Sequence, residues 1–210
     1  MVPTCRLIST ILGQEDTSNE NLLFFRDNRA IADSCQWLSR KESFRWWRDG
    51  ETGSQAKYLW LSAPPATGKS VLMSAVIDQL REESEICAFY FFRGNNTASR
   101  TTRSFMLSVI AQMAIHSAKF YEQLAEIDDQ YTKIQSMPTR VLWQKIFVET
   151  LFNLSEGSTA PWYWVLDALD ESESASEVIS LVGKIQSVTP MRVLMTSRVG
   201  MDIQRVLQSS

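Results

Sequence analysis

Residues 58–70 read YLWLSAPPATGKS: an apolar run, Tyr58–Leu61, enters a tight Pro- and Ala-rich turn, and Gly68-Lys69-Ser70 then opens a helix. A strand, a turn and a helix start in that order make a cradle for a polyphosphate. Backbone N–H groups at the helix N-terminus face the anion, a lysine reaches the outer phosphates, and a serine hydroxyl suits magnesium. The GKS triplet alone is a weak signal, so its surroundings carry the reading.

To the C-terminal side the chain alternates helix and strand. A helix is predicted over Lys69–Glu82, with Val71, Leu72, Ala75, Val76 and Leu80 on its inner face. Ile86–Phe92 is a near-continuous apolar run suited to a strand covered on both faces. After the polar loop RGNNTASR, helices are predicted at about 101–116, 118–132 and 139–154, the last opened by Pro138 and a Thr139 cap. Strands follow at Trp162–Leu166 and Arg192–Thr196, with helices at about 174–187 and 201–208. To the N-terminal side, residues 1–30 read as a polar, partly mobile segment, 31–55 as a helical prefix and 56–210 as the core. Alternating strands and helices imply an α/β fold with a parallel sheet and a ligand site at the strands' carboxyl ends.

About 100 residues beyond the first motif stands a second, WYWVLDALDE, residues 162–171. Chemistry at a triphosphate needs a carboxylate near the magnesium and another group to orient the attacking water. Asp167, ending a buried strand, supplies the first, and the Asp170-Glu171 pair just beyond supplies the second. A strand ending in an ordinary N-cap aspartate gives the same pattern; the position downstream of APPATGKS argues for chemistry. The last strand ends MTSR, placing Thr196, Ser197 and Arg198 at the same rim. A hydroxyl and a guanidinium there can report a γ-phosphate, while an arginine solvating a loop is the plain alternative.

Composition narrows the field. Net charge is −3 with no basic stripe, so no nucleic-acid partner is expected. The single histidine, His116, follows a helix's apolar face as a helix-end residue, which excludes a His-rich metal site and leaves any Ser-His-Asp triad only this residue. Three scattered cysteines are expected as reduced, mostly buried thiols in a cytoplasmic protein. No leader pattern opens the chain and no apolar run approaches the ~18 residues that span a bilayer, so no membrane association is expected. Seven tryptophans at helix and strand spacing read as core, with Trp46-Trp47 packing the prefix onto the sheet.

Taken together, the chain resembles the NACHT-type signalling NTPases of the STAND class, most of all the nephrocystin-3-like N-terminal domain abundant in fungal proteins. The matching stretches are CQWL…FRWW, LWLSAPPATGKSVLMSAVIDQL, FYFFRGNN, TTRSFMLSVIAQM, VLDALDE and VLMTSR, from about residue 30 onward. The resemblance implies a three-layer P-loop NTPase with sheet order 5-1-4-3-2, binding ATP with Mg²⁺ on a cradle of Ala63, Pro64, Pro65, Ala66, Thr67, Gly68, Lys69, Ser70 and Val71. By the same resemblance Lys69 holds the β/γ-phosphates, Ser70 and Asp167 the Mg²⁺, Asp170 and Glu171 the attacking water, and Arg198 the γ-phosphate.

Two departures stand out. Ala63 and Ala66 replace loop glycines of the family, at a cost of ~1–2 kcal/mol wherever the backbone is left-handed. Pro64 and Pro65 remove two N–H donors, so the cradle rests on residues 66–70. The chain also stops about ten residues past Arg198, where family members continue into a fifth strand, a helical lid and a winged-helix domain. The expectation is a truncated domain whose first strand lies at an open edge.

The resemblance implies an ATP-driven signalling switch with slow hydrolysis, able to self-associate through this domain in a full-length protein. A non-hydrolysing nucleotide-binding or oligomerisation scaffold, or an inactive fragment, is the alternative reading. A small-molecule kinase would want an Arg-rich lid, and only Arg192, Arg198 and Arg205 are at hand. A transporter-type ATPase would need an LSGGQ-like loop, which is absent, and no guanine-reading [NT]KxD occurs, which favours ATP over GTP.

Overall fold

The computed structural model describes residues 3–12, 17–29, 35–50, 57–83, 85–130, 133–155, 161–186 and 191–200. In chain order these form α1 (Pro3–Leu12), α2 (Ser18–Asp27), α3 (Glu42–Asp49), β1 (Tyr58–Ser62), α4 (Lys69–Glu82), β2 (Cys87–Phe91), α5 (Thr102–His116) and α6 (Ala118–Gln130). There follow α7 (Thr139–Leu142), a π-helical stretch (Trp143–Thr150), α8 (Leu151–Ser155), β3 (Trp162–Asp167), α9 (Ala175–Gln186) and β4 (Met191–Ser197).

The four strands pair in parallel in the order β1-β4-β3-β2. This is the expected order, with the fifth position unfilled among the described residues. Successive residues of β2 and β3 point to opposite faces, and each face finds an apolar layer. Ala88, Tyr90, Trp164 and Leu166 join the core built with α1 and α5 to α9. Cys87, Phe89, Phe91, Tyr163 and Val165 join that of α2, α3 and α4. The result is three layers, helix–sheet–helix. Fully buried side chains such as Trp164, Phe89 and Phe105 each contribute roughly 1.5–3 kcal/mol by leaving water.

The outer edge of β2 is closed by a side chain. Gln112 of α5 accepts from Phe89 N at 3.0 Å and donates to Phe89 O at 2.8 Å, standing in for a neighbouring strand. Buried Cys87 and half-buried Cys35 are both reduced, and burial pushes the Cys87 thiol up to about 12. His116 ends α5 exposed to solvent. Among the described residues no helix is long and apolar enough to cross a membrane.

Of the Trp46-Trp47 pair expected to pack the prefix, only Trp47 does so; Trp46, like Trp37, is exposed and not core. Trp47 is fully buried between Phe44, at 5.4 Å, and Tyr163 of β3, at 5.5 Å. Arg192 of β4 donates to Trp47 O at 2.5 Å, and the Tyr163 hydroxyl donates to Arg48 O at 2.7 Å. α3 stops at Gly50, whose φ of 69° lets its N–H reach back to Trp46 O. A Cβ there would lie 2.4 Å from Arg192 Nη2.

Two expectations need correction. Residues 1–30 are not simply a polar segment, since α1 and α2 occupy most of them. Polar residues of α2 and its exit are taken up by tertiary pairing: Arg26, and Arg29 just past the helix, both bind Asp78 of α4, while Leu22 is buried. The helix expected over 139–154 is present, but its middle winds as a π-helix. The helix expected at 201–208 lies outside the described residues.

Candidate functional site

β1 ends at Ser62, and the Ala63 N–H still donates to Ser197 O at 3.3 Å, so the loop leaves in register with β4. The chain then turns over Pro64–Gly68. Thr67 Oγ1 donates to Pro64 O at 2.8 Å, and Lys69 Nζ donates to Ala63 O and Pro64 O at 2.7 Å each. The ammonium is thereby drawn into the loop with two of its three protons used. Gly68, at φ 84°, caps α4, whose first hydrogen bond runs from Leu72 N to Gly68 O. The amides of Lys69, Ser70 and Val71 therefore begin the helix without intrahelical acceptors, at its positive end.

The two loop alanines differ. Ala66 has φ 61°, in the left-handed region, while Ala63 does not enter it. Only Ala66 carries a strain cost, about 1 kcal/mol. Ala66→Gly is expected to raise stability by roughly that amount in a denaturant melt, while Ala63→Gly should not.

The acids gather opposite the loop. Asp167, 2% exposed, accepts from Ser70 Oγ and from Thr196 Oγ1, both at 2.5 Å. Burial pushes its carboxyl above the ordinary carboxylate value, against the pull of the Ser70 and Thr196 hydrogen bonds and the nearby Arg93 and Lys69 charges. The chain turns immediately after it, Ala168 taking φ 54° and donating its N–H to Thr196 Oγ1 at 3.0 Å. Thr196 therefore positions Asp167 instead of facing the cleft, contrary to its reading as a phosphate reporter. Ser197 is likewise buried, accepting from Trp60 Nε1 at 2.9 Å.

Arg198, about half exposed, is tied to both remaining acids. Its N–H donates to Asp170 Oδ1 at 2.7 Å and its Nη2 to Glu171 Oε1 at 3.0 Å. Gly94 N donates to Glu171 Oε2 at 2.9 Å, so both Glu171 oxygens are engaged. Residues 65–71, Asp167, Asp170, Glu171 and Arg198 line one open cleft of about 330 Å³. Ala63 and Pro64 do not line it; their carbonyls hold the lysine. The other predicted site residues share this one cleft.

Chemically the arrangement suits a hard cation only with outside help. Among the described residues no three His, Cys, Asp or Glu side chains cluster to hold a metal. The Ser70 hydroxyl and the Asp167 carboxylate are the small oxygen set that Mg²⁺ uses when phosphates and waters complete its shell, so the residues fit that ion.

Three residues at this rim escape sequence reasoning. Phe25 of α2 lines the cleft, packs at 5.2 Å on Phe91, and lies 4.9 Å under the Arg93 guanidinium. Gly94 holds Glu171. The RG following FYFF had a usable signal, since it leaves a buried parallel strand at its carboxyl end. Phe25 had none, because only tertiary packing brings α2 there.

The family profile described as "Nephrocystin 3, N-terminal" matches residues 33–198. The vegetative incompatibility protein HET-E-1 of Podospora anserina is 22% identical over 191 residues, covering 86% of this chain and 13% of that protein. The chain therefore spans about 13% of the length of this relative.

Proposed function

The chain belongs to the nephrocystin 3 N-terminal family, a NACHT-like domain, and from that premise we propose that its cleft binds ATP with Mg²⁺ and works as a slowly hydrolysing signalling switch. The observation that carries this reading is the meeting of Ser70 and Asp167 at 2.5 Å at the start of α4, beside the looped-in Lys69. Lys69 and the amides of residues 66–71 would hold the β- and γ-phosphates, and Arg198 the γ-phosphate. Ser70 and Asp167 would hold Mg²⁺, which when bound neutralises charge on the phosphate oxygens. Asp170 and Glu171 would orient the attacking water.

Binding at a hundredfold excess over Kd stabilises the competent form by about 2.7 kcal/mol, enough to tip a balanced pair of arrangements. In a longer protein the domain would self-associate in its nucleotide-bound form. The reduced thiols fit a cytoplasmic setting. ATP is preferred over GTP because no guanine-reading motif is present.

A second reading, a non-hydrolysing nucleotide-binding scaffold, is favoured by one detail: both Glu171 oxygens are already occupied, by Arg198 and Gly94. Single-turnover hydrolysis separates the two. Glu171→Gln should slow the step about 10²-fold if this acid orients water. Equal rates in parent and variant would leave the scaffold reading.

A further inference from the structure

Parallel pairing sets Phe91 of β2 opposite Asp167, and Phe92 N donates to Asp167 O at 3.1 Å. Gly94 N binds Glu171. Arg93 thus leaves the sheet between one amide bonded to Asp167 and another bonded to Glu171.

Its side chain is turned to α2. Arg93 Nε and Nη2 both donate to Asn21 Oδ1, at 3.1 and 2.8 Å, and the guanidinium covers the ring of Phe25, which itself lines the cleft. A neutral amide oxygen and a ring face are weak partners for a fork of five donors that pairs best with carboxylate or phosphate. Among the described residues no acid pairs with Arg93, whereas Arg26 and Arg29 share Asp78 and Arg198 holds Asp170 and Glu171.

We propose that Arg93 is a further phosphate ligand of this cleft, selective for the terminal phosphate of a nucleoside triphosphate, and that engaging it releases the Asn21–Phe25 part of α2 from the core. The proposal rests on the reading of the cleft as a triphosphate site. A phosphate that takes the Nε/Nη2 edge of Arg93 in the bidentate manner displaces Asn21 Oδ1 from those same donors, so docking of α2 and triphosphate binding oppose each other. That opposition is reciprocal: whatever loosens α2 must tighten triphosphate binding by the same factor. Arg26 and Arg29 keep one end anchored on Asp78 and Ser18 Oγ keeps the other on Ser108 Oγ at 3.1 Å, so the middle of α2 loosens while the helix stays attached.

The test is calorimetric titration of the 210-residue chain with Mg²⁺ and either a non-hydrolysable ATP analogue or ADP, alongside hydrogen exchange of the α2 amides. Arg93→Ala should lose about 10–100-fold in analogue affinity and less than about threefold in ADP affinity. Asn21→Ala should gain a few-fold for the analogue. In the parent the α2 amides should exchange faster with the analogue than with ADP; in Arg93→Ala they should exchange fast with either. Equal affinity losses for both nucleotides, or α2 exchange in the parent that ignores the third phosphate, would overturn the proposal. Arg93→Lys, which keeps the charge without the fork, should fall between parent and alanine and serves if the alanine variant does not fold. Lys69→Ala separates the two levels. If it binds both nucleotides as the parent does, the site reading itself has failed and this proposal with it. If it loses both while Arg93→Ala spares the parent's preference, only the Arg93 proposal fails.

Discussion

Replacing Trp47 by alanine is expected to cost about 3–5 kcal/mol of stability, the range for deleting a fully buried indole. Its ring fills the space between Phe44 and Tyr163, and its carbonyl is the acceptor for Arg192, so it joins α3 to both β3 and β4. Urea unfolding followed by tryptophan fluorescence or circular dichroism measures the loss. Trp47→Phe is the control. Among the described residues the buried Trp47 Nε1 has no hydrogen-bond partner, so phenylalanine sacrifices volume without sacrificing a bond and should cost less than about half as much. The ratio of ATP to GTP affinity should stay unchanged in both variants, since Trp47 lies outside the cleft lining. A loss under about 1 kcal/mol in the alanine variant would mean that the prefix does not pack as described.

Asp167→Asn should have two opposite effects. Mg²⁺-dependent nucleotide affinity should fall about a hundredfold or more, because the carboxylate bonded to Ser70 is gone. Stability without nucleotide should rise by ~1 kcal/mol, because a desolvated charge is removed while Ser70 and Thr196 can rotate to keep hydrogen bonds. The pH dependence follows from the raised carboxyl. Burial lifts the folded-state value above that of the unfolded chain. Between those two values the folded state holds a proton that the unfolded state has lost, so stability falls as pH rises through the window and levels off above it. Mg²⁺ competes for the same oxygen, so Mg²⁺-dependent affinity should rise with pH over that window. The asparagine variant should flatten this contribution to both curves.

Much of the fold was legible because a parallel sheet covered on both faces leaves a strong trace. CAFYF and WYWVL are continuous apolar runs because every one of their residues faces a helix layer. The phosphate-type loop and the acids were legible as motifs, since the chemistry fixes residue type and the sheet fixes where each strand ends. What sequence could not show depends on partners distant in the chain. α2 looks polar until Asp78 takes up Arg26 and the neighbouring Arg29, and Phe91 packs on Phe25. Thr196 and Arg198 sit at the expected rim, yet their hydrogen bonds go to Asp167 and to Asp170 and Glu171, pairings that no local pattern encodes. Whether Ala66 or Ala63 bears the left-handed turn likewise emerged only from the backbone.

Calorimetric titration with ATP and Mg²⁺, parent beside Lys69→Ala, goes to the heart of the matter, which is whether the loop lysine and the Asp167 carboxylate serve one polyphosphate. Saturable binding by the parent, weakened about a hundredfold in a variant that melts normally, is the outcome expected. Unchanged affinity in Lys69→Ala, or a parent that takes up no nucleotide at all, would show that this rim does not hold one.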